Sequence, residues 1–243
     1  MKRINVVGMG PGAWDKMTIE AAKALEESDT IIGYTVYVDL LRDHLADKEF
    51  LTTPMTKEVD RCRMAFEEAE KGKNVSLVCS GDAGVYGMSG LMYQIGEDYP
   101  QVELNIIPGV TAALGGAAIL GAPLIHDFCL ISLSDLLTPI EKIQKRLEAA
   151  GEADFVVVLY NPSSRKRADY LQKACDILLR YRDPSTVCGI VENIGREGET
   201  KKVLTLRELR DTPVNMFTTV FIGNSQTKEI QNNMVTPRGY RDV

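Results

Sequence analysis

The chain predicts an α/β protein of two domains, each built on a mainly parallel or mixed sheet covered by helices. Three observations carry that prediction. Short β-branched runs alternate with helical patterns along nearly all of the 243 residues. Glycine turns follow three early strands, at Gly8-Met9-Gly10-Pro11-Gly12, Ser80-Gly81-Asp82 and Pro108-Gly109, which puts them on the carboxyl edge of one parallel sheet. One break, Gly121-Ala122-Pro123, interrupts the alternation. It sets the expected boundary between a domain of residues 1–122 and one of residues 123–243.

Each element follows from its pattern. Residues 4–7 read as the first strand, and residues 18–27 as a helix capped by Thr18, with Glu20 in its first turn. Residues 30–32 form a second strand. Residues 58–71 carry Val59, Cys62, Phe66 and Ala69 on one face and charges on the other, the pattern of an amphipathic surface helix. Residues 75–79 are a buried strand, 86–95 a helix and 102–107 a strand. Residues 110–120 are small and apolar, as a tightly packed helix requires. Past the break come strand 128–132, helix 140–150, strand 154–160 and helix 166–180. Strands at 186–192, 201–204 and 218–222 complete a sheet that the pattern leaves parallel or mixed.

Composition excludes several classes. Lys and Arg number 28 against 34 Asp and Glu, a net charge of −6, which argues against a general binder of nucleic acid or membrane surfaces. The first strand begins within four residues of Met1, with no apolar leader before it. No run reaches the ~18 apolar residues of a membrane span. Cys62, Cys79, Cys129, Cys175 and Cys188 are scattered without a C-x-x-C pair, and only two histidines occur. Neither a disulfide scaffold nor a protein-bound metal is expected, and a cytoplasmic enzyme fits best.

The loops carry the chemistry. Gly8–Gly12 looks at first like a dinucleotide fingerprint, but the next helix starts only near Thr18. The second strand also ends in Gly33-Tyr34, where a ribose-binding acid is needed. Ser80-Gly81-Asp82-Ala83-Gly84 either lets backbone groups reach a ligand or is a turn with Asp82 as a helix cap. Pro108-Gly109-Val110-Thr111-Ala112 opens a helix, for a ligand or for close packing. Their coincidence at one sheet edge favours a ligand. Arg165-Lys166-Arg167 is either a solvated face or an anchor for carboxylates. His126 is either structural or a substrate contact, and His44 reads as solvated.

In this order and spacing, the three loops resemble the signature of the tetrapyrrole (class III) S-adenosylmethionine-dependent methyltransferases. The second half is similar to the precorrin-3B C17-methyltransferases and their cobalt-factor III counterparts. The segments concerned are His126-Asp127-Phe128-Cys129-Leu130-Ile131-Ser132, Leu159-Tyr160-Asn161-Pro162-Ser163-Ser164, Gly223-Asn224-Ser225-Gln226-Thr227 and Thr236-Pro237-Arg238-Gly239-Tyr240. The resemblance implies methylation of a corrin precursor at ring carbon 17 with ring contraction, in cobalamin biosynthesis. It implies S-adenosyl-L-methionine in a trough between the domains, and a homodimer. Carried over residue by residue, cofactor contacts fall on Pro11, Ser80, Gly81, Asp82, Val85, Thr111, Ala112, Tyr160, Asn161 and Ile194. Asn161 and Ile194 depart from the wider family, which has Met and often Gly there. Tyr34 and Thr53 stand where the uroporphyrinogen branch has an Asp and a Lys, so that branch's proton chemistry does not transfer.

For ring contraction the candidates are His126, Asp127 and Ser132, with Arg165 and Arg167 for substrate carboxylates. A cobalt-containing substrate would allow His126 to approach the metal axially. No iron–sulfur cluster is expected, since no cysteine-rich region is present. The rival readings are a sister methyltransferase acting at another corrin carbon, the diphthine or ribosomal-RNA branch, and a non-catalytic tetrapyrrole or cofactor carrier.

Overall fold

The computed structural model describes residues 2–164 and 168–241. The chain divides into two compact units, Met1–Ala112 and Ala113–Val243. In the first, five strands pair in parallel: β1 (Lys2–Gly8), β2 (Thr30–Tyr34), β3 (Glu49–Thr53), β4 (Val75–Cys79) and β5 (Val102–Ile107). Their order is β3-β2-β4-β1-β5. α1 (Ile19–Glu26), α2 (Thr35–Asp39), α3 (Glu58–Glu70) and α4 (Ser89–Gly96) connect them. Successive strand residues point to opposite faces, and both faces are buried. Val6, Ile32 and Leu77 pack with Phe66 and Met92, while Val7, Ile31 and Val78 pack with Leu25, Val38 and Leu41. Such double burial is why these strands read as continuous apolar runs.

The sequence reading omits β3 and α2, whose composition is too mixed to announce them. It also starts α4 too early. Tyr86 has φ +54°, and residues 80–88 form a loop, so the helix begins at Ser89. Thr18 does cap α1, accepting from the Ala21 N–H at 3.1 Å. α3 corrects the expected amphipathic surface helix, because two of its charged residues, Arg61 and Glu68, are buried.

The second unit takes in nearly all of α5 (Ala112–Leu120), followed by β6 (Gly121–Ala122), β7 (Phe128–Ser132), α6 (Ile140–Glu152) and β8 (Val156–Tyr160). Then come α7 (Tyr170–Leu178), β9 (Val187–Glu192), β10 (Thr200–Thr205), α8 (Leu206–Arg210) and β11 (Thr218–Ile222). β12 (Lys228–Ile230) and β13 (Asn233–Val235) finish it. The main sheet is mixed, in order β10-β9-β11-β8-β7, with β7 and β8 parallel and the other pairs antiparallel. On one face Leu147, Leu171, Leu178 and Leu209 cover Leu159, Val220 and Ile222. On the other, α5 lies so close that a Cβ on Gly116 would sit 2.7 Å from Phe221 Cζ, and one on Gly189 would sit 2.6 Å from Leu120. That packing ties α5 to the second sheet, so the division falls after the first residue of α5 and not at Gly121-Ala122-Pro123. The expected break is itself a short strand, β6, paired with β13.

Gly223 and Ser225, within one of the segments that carry the resemblance, are structural. Asp154 accepts from the Ser225 N–H at 3.0 Å and from Ser225 Oγ at 2.6 Å. Arg182, buried, donates to the carbonyls of Phe155 and Gly223, and burial pulls its guanidinium below the usual arginine range. These groups fasten the amino end of β8 to the carboxyl end of β11.

Candidate functional site

β1, β4 and β5 are neighbours in the first sheet, so their carboxyl ends deliver three glycine loops to one place. The chain leaves β1 towards β2 on one side and later crosses to β5 on the other, a switch point of the kind where open α/β sheets take ligands. The loops are knitted together through backbone. The Met9 N–H donates to the Cys79 carbonyl at 2.9 Å; Gly10 and Gly81 exchange N–H···O bonds of 3.0 and 2.8 Å. Gly109 lies so near that a Cβ there would fall 2.2 Å from the Gly81 carbonyl oxygen and 2.5 Å from that of Gly8. No side chain fits at that junction.

Asp82 holds the second loop to the third. Its Oδ1 accepts from the N–H groups of Gly84 (2.8 Å) and Val85 (3.1 Å), and its Oδ2 from the Gly109 N–H (2.9 Å). Both oxygens are therefore engaged within the protein. Pro11, Gly81 and Thr111 are buried, and Ser80, Val85 and Ala112 are half-buried, around the same edge. The loops at 8–13, 80–90 and 108–115 contain no Lys or Arg. They offer a ligand only backbone groups and small side chains. A cofactor with a positive sulfonium and no phosphate suits this donor set.

In the second unit, Ser132 ends β7 and Tyr160 ends β8, paired in register. Tyr160 Oη accepts from the Ala113 N–H in the first turn of α5 at 2.8 Å. Asn161, at φ +53°, donates from Nδ2 to Ser132 Oγ at 2.9 Å. Ser132 Oγ also accepts from the Ser134 N–H at 3.3 Å, which leaves its own O–H to donate. Ile194 follows β9 at the same edge, but its Cδ1 lies 3.1 Å from the Cβ position of Gly116. That side chain is spent on packing against α5, which accounts for a large residue where glycine is frequent.

The structure does not assemble the three expected catalytic residues. His126 and Asp127 precede β7, and the Asp127 carbonyl accepts from the Val156 N–H at the amino end of β8. Ser132 stands at the other end of the strand, roughly 17 Å from Asp127 and roughly 20 Å from His126 at ~3.3 Å per residue. Arg165 and Arg167 lie outside the described residues. Among the described residues no three His, Cys, Asp or Glu are placed to hold a metal ion, and no helix is long and apolar enough to cross a membrane.

The sequence reading missed Arg61. It is 4% exposed, and its Nε donates to Thr53 Oγ1 at 2.9 Å. The only signal for it is its place beside Cys62 on the apolar side of α3.

Residues 3–210 match the family model of the tetrapyrrole (corrin/porphyrin) methylases. A probable cobalt-factor III C(17)-methyltransferase of Salmonella typhimurium is 45% identical over 98% of this chain and 99% of its own length. A cobalt-factor III methyltransferase of Priestia megaterium is also 45% identical, but this chain spans only 45% of it. The crystal structure of the methyltransferase CobJ superposes with a TM-score of 0.89 at 34% identity, over 98% of this chain and 100% of that one.

Proposed function

The chain belongs to the tetrapyrrole (corrin/porphyrin) methylases, and on that premise we propose that it methylates a corrin precursor at ring carbon 17, with ring contraction, in cobalamin biosynthesis. The preferred substrate is cobalt-factor III, because relatives bearing that name reach 45% identity. The observation that carries the reading is the cation-free knot of three glycine loops at the ends of β1, β4 and β5. When bound there, S-adenosylmethionine supplies a methyl group already activated on a sulfonium.

The chain's own residues bind and orient. Pro11, Ser80, Gly81, Val85, Thr111 and Ala112 offer backbone and small side chains, while Asp82 fixes the loops and needs no ligand contact of its own. In the second unit, Tyr160, Asn161 and the backbone at Ile194 are assigned to cofactor binding. Attack by an electron-rich ring carbon needs in-line placement more than it needs a strong base. Ser132, its Oγ held by Asn161, is assigned as the hydrogen-bond donor to a substrate oxygen during contraction. His126 and Asp127, at the opposite strand end, receive no part in that step. Arg165 and Arg167 remain assigned to substrate carboxylates. The assembly is assigned as a homodimer, which sedimentation checks, and the compartment as the cytoplasm.

Incubation with cobalt-factor III and with precorrin-3B in parallel, each product read by mass, tests the proposal. Methylation of cobalt-factor III at the higher rate is expected. Turnover of neither, with the cofactor bound, would return the chain to a carrier role.

A further inference from the structure

Arg61 occupies the first turn of α3 and is buried, at 4% exposure. Its Nε donates to Thr53 Oγ1 at 2.9 Å and its Nη2 to the Pro54 carbonyl at 3.1 Å. Its Nη1 faces only the Met88 sulfur, at 3.4 Å. The Tyr34 ring lies 5.9 Å from the guanidinium carbon. No ion pair among the described residues includes Arg61. A guanidinium removed from water without a counter-charge is costly. Neutral oxygens repay part of that cost, and a thioether is a weak acceptor that repays little.

The position of this cation gives the imbalance a use. Tyr34 ends β2, Thr53 ends β3, and Met88 lies in the loop between β4 and α4 that also holds Gly81 and Asp82. Arg61 therefore sits at the carboxyl edge of the first sheet, the edge that carries the three glycine loops, which themselves contain no arginine or lysine. Met88 is half-buried, and an unbranched methionine repacks readily. Among the described residues of the first unit, Arg61 is the one buried guanidinium, and one of its donor nitrogens is turned to a movable side chain. Arg182, in the second unit, is aimed at backbone carbonyls instead.

We propose that Arg61 recognises a peripheral carboxylate of the corrin precursor, which displaces the Met88 thioether and accepts from Nη1. This rests on the substrate class assigned above. Arg61 acts as a specificity-determining residue, selecting the ionised side chain of the substrate and fixing the register of the ring.

The test compares turnover of the free-acid precursor with that of its methyl esters, in wild type, Arg61→Lys and Met88→Glu. Wild type is expected to favour the acid by about tenfold or more in kcat/KM, as a desolvated charge pair does. Arg61→Lys, which loses the fork, should narrow the ratio to within about threefold. Met88→Glu places a carboxylate of the protein on Arg61 and should narrow it equally, mainly by raising KM for the acid. The ratio cancels any general loss of folded enzyme, and binding of S-adenosylhomocysteine by calorimetry reports the fold separately. Unchanged ratios in both variants, with wild type turning over the acid, would overturn the assignment of Arg61 alone. No turnover of the acid by wild type would overturn the substrate class and this inference with it.

Discussion

Replacing Asp82 by asparagine separates two roles for that residue. The carboxylate accepts three backbone N–H groups, from Gly84, Val85 and Gly109. The amide keeps an oxygen for Gly84 and Val85 but turns an NH2 towards the Gly109 N–H, donor against donor. A hydrogen bond to a charged group contributes about 1.5–3 kcal/mol. Asp82 is half-buried, so water softens the loss, and about 2 kcal/mol is expected. For a chain of this size that lowers the melting temperature by roughly 4–8 °C. Because the bond to Gly109 ties the third loop to the second, affinity for S-adenosylhomocysteine should fall about tenfold, or 1.4 kcal/mol. Thermal unfolding and isothermal calorimetry measure the two effects. A variant that loses affinity while unfolding within about 0.5 kcal/mol of wild type would refute the reasoning and make Asp82 a direct cofactor contact.

Tyr160→Phe removes the oxygen that accepts the Ala113 N–H and should cost about 1 kcal/mol in urea unfolding, with a matching loss of protection at that amide in hydrogen exchange. Ser132→Ala should leave cofactor affinity within about twofold and slow ring contraction by about a hundredfold, releasing a methylated, uncontracted product visible by mass. Burial raises the thiols of Cys62 and Cys175 to about 12 and of Cys79 to about 11, and raises Cys188 as well. In the unfolded chain these thiols ionise near pH ~8.5. Above that pH the unfolded state binds fewer protons than the folded one. Stability is thus full below that value and falls as pH rises towards 11, by about 1.4 kcal/mol per pH unit for each buried thiol. Urea midpoints measured between pH 8 and 10.5 check the slope, and a flat profile would contradict it.

The three glycine loops were legible because backbone junctions admit so few residues: nothing with a Cβ fits where Gly109 meets Gly8 and Gly81. The alternation of strands and helices was legible for a similar reason, since strands buried on both faces must be apolar throughout. β3 was not, as an edge strand half open to water can carry Glu49, Thr52 and Thr53. Residue type alone sends an arginine to solvent and so hid Arg61, although helical spacing sets it on the buried side of α3 with Cys62, Ala65 and Ala69. His126, Asp127 and Ser132 are near one another in sequence but stand at opposite ends of β7. Closeness in sequence along an extended strand means distance in space. The boundary at residues 121–123 followed turn composition, whereas the division follows where α5 buries its small-residue face.

The most direct test of the account is the destination of the methyl group. The enzyme is given S-adenosylmethionine labelled in its methyl carbon together with cobalt-factor III, and the product's labelled carbon is assigned by NMR. The label is expected on ring carbon 17 of a ring-contracted macrocycle. Label on any other ring carbon, or none transferred while cofactor and precursor both bind, would contradict it.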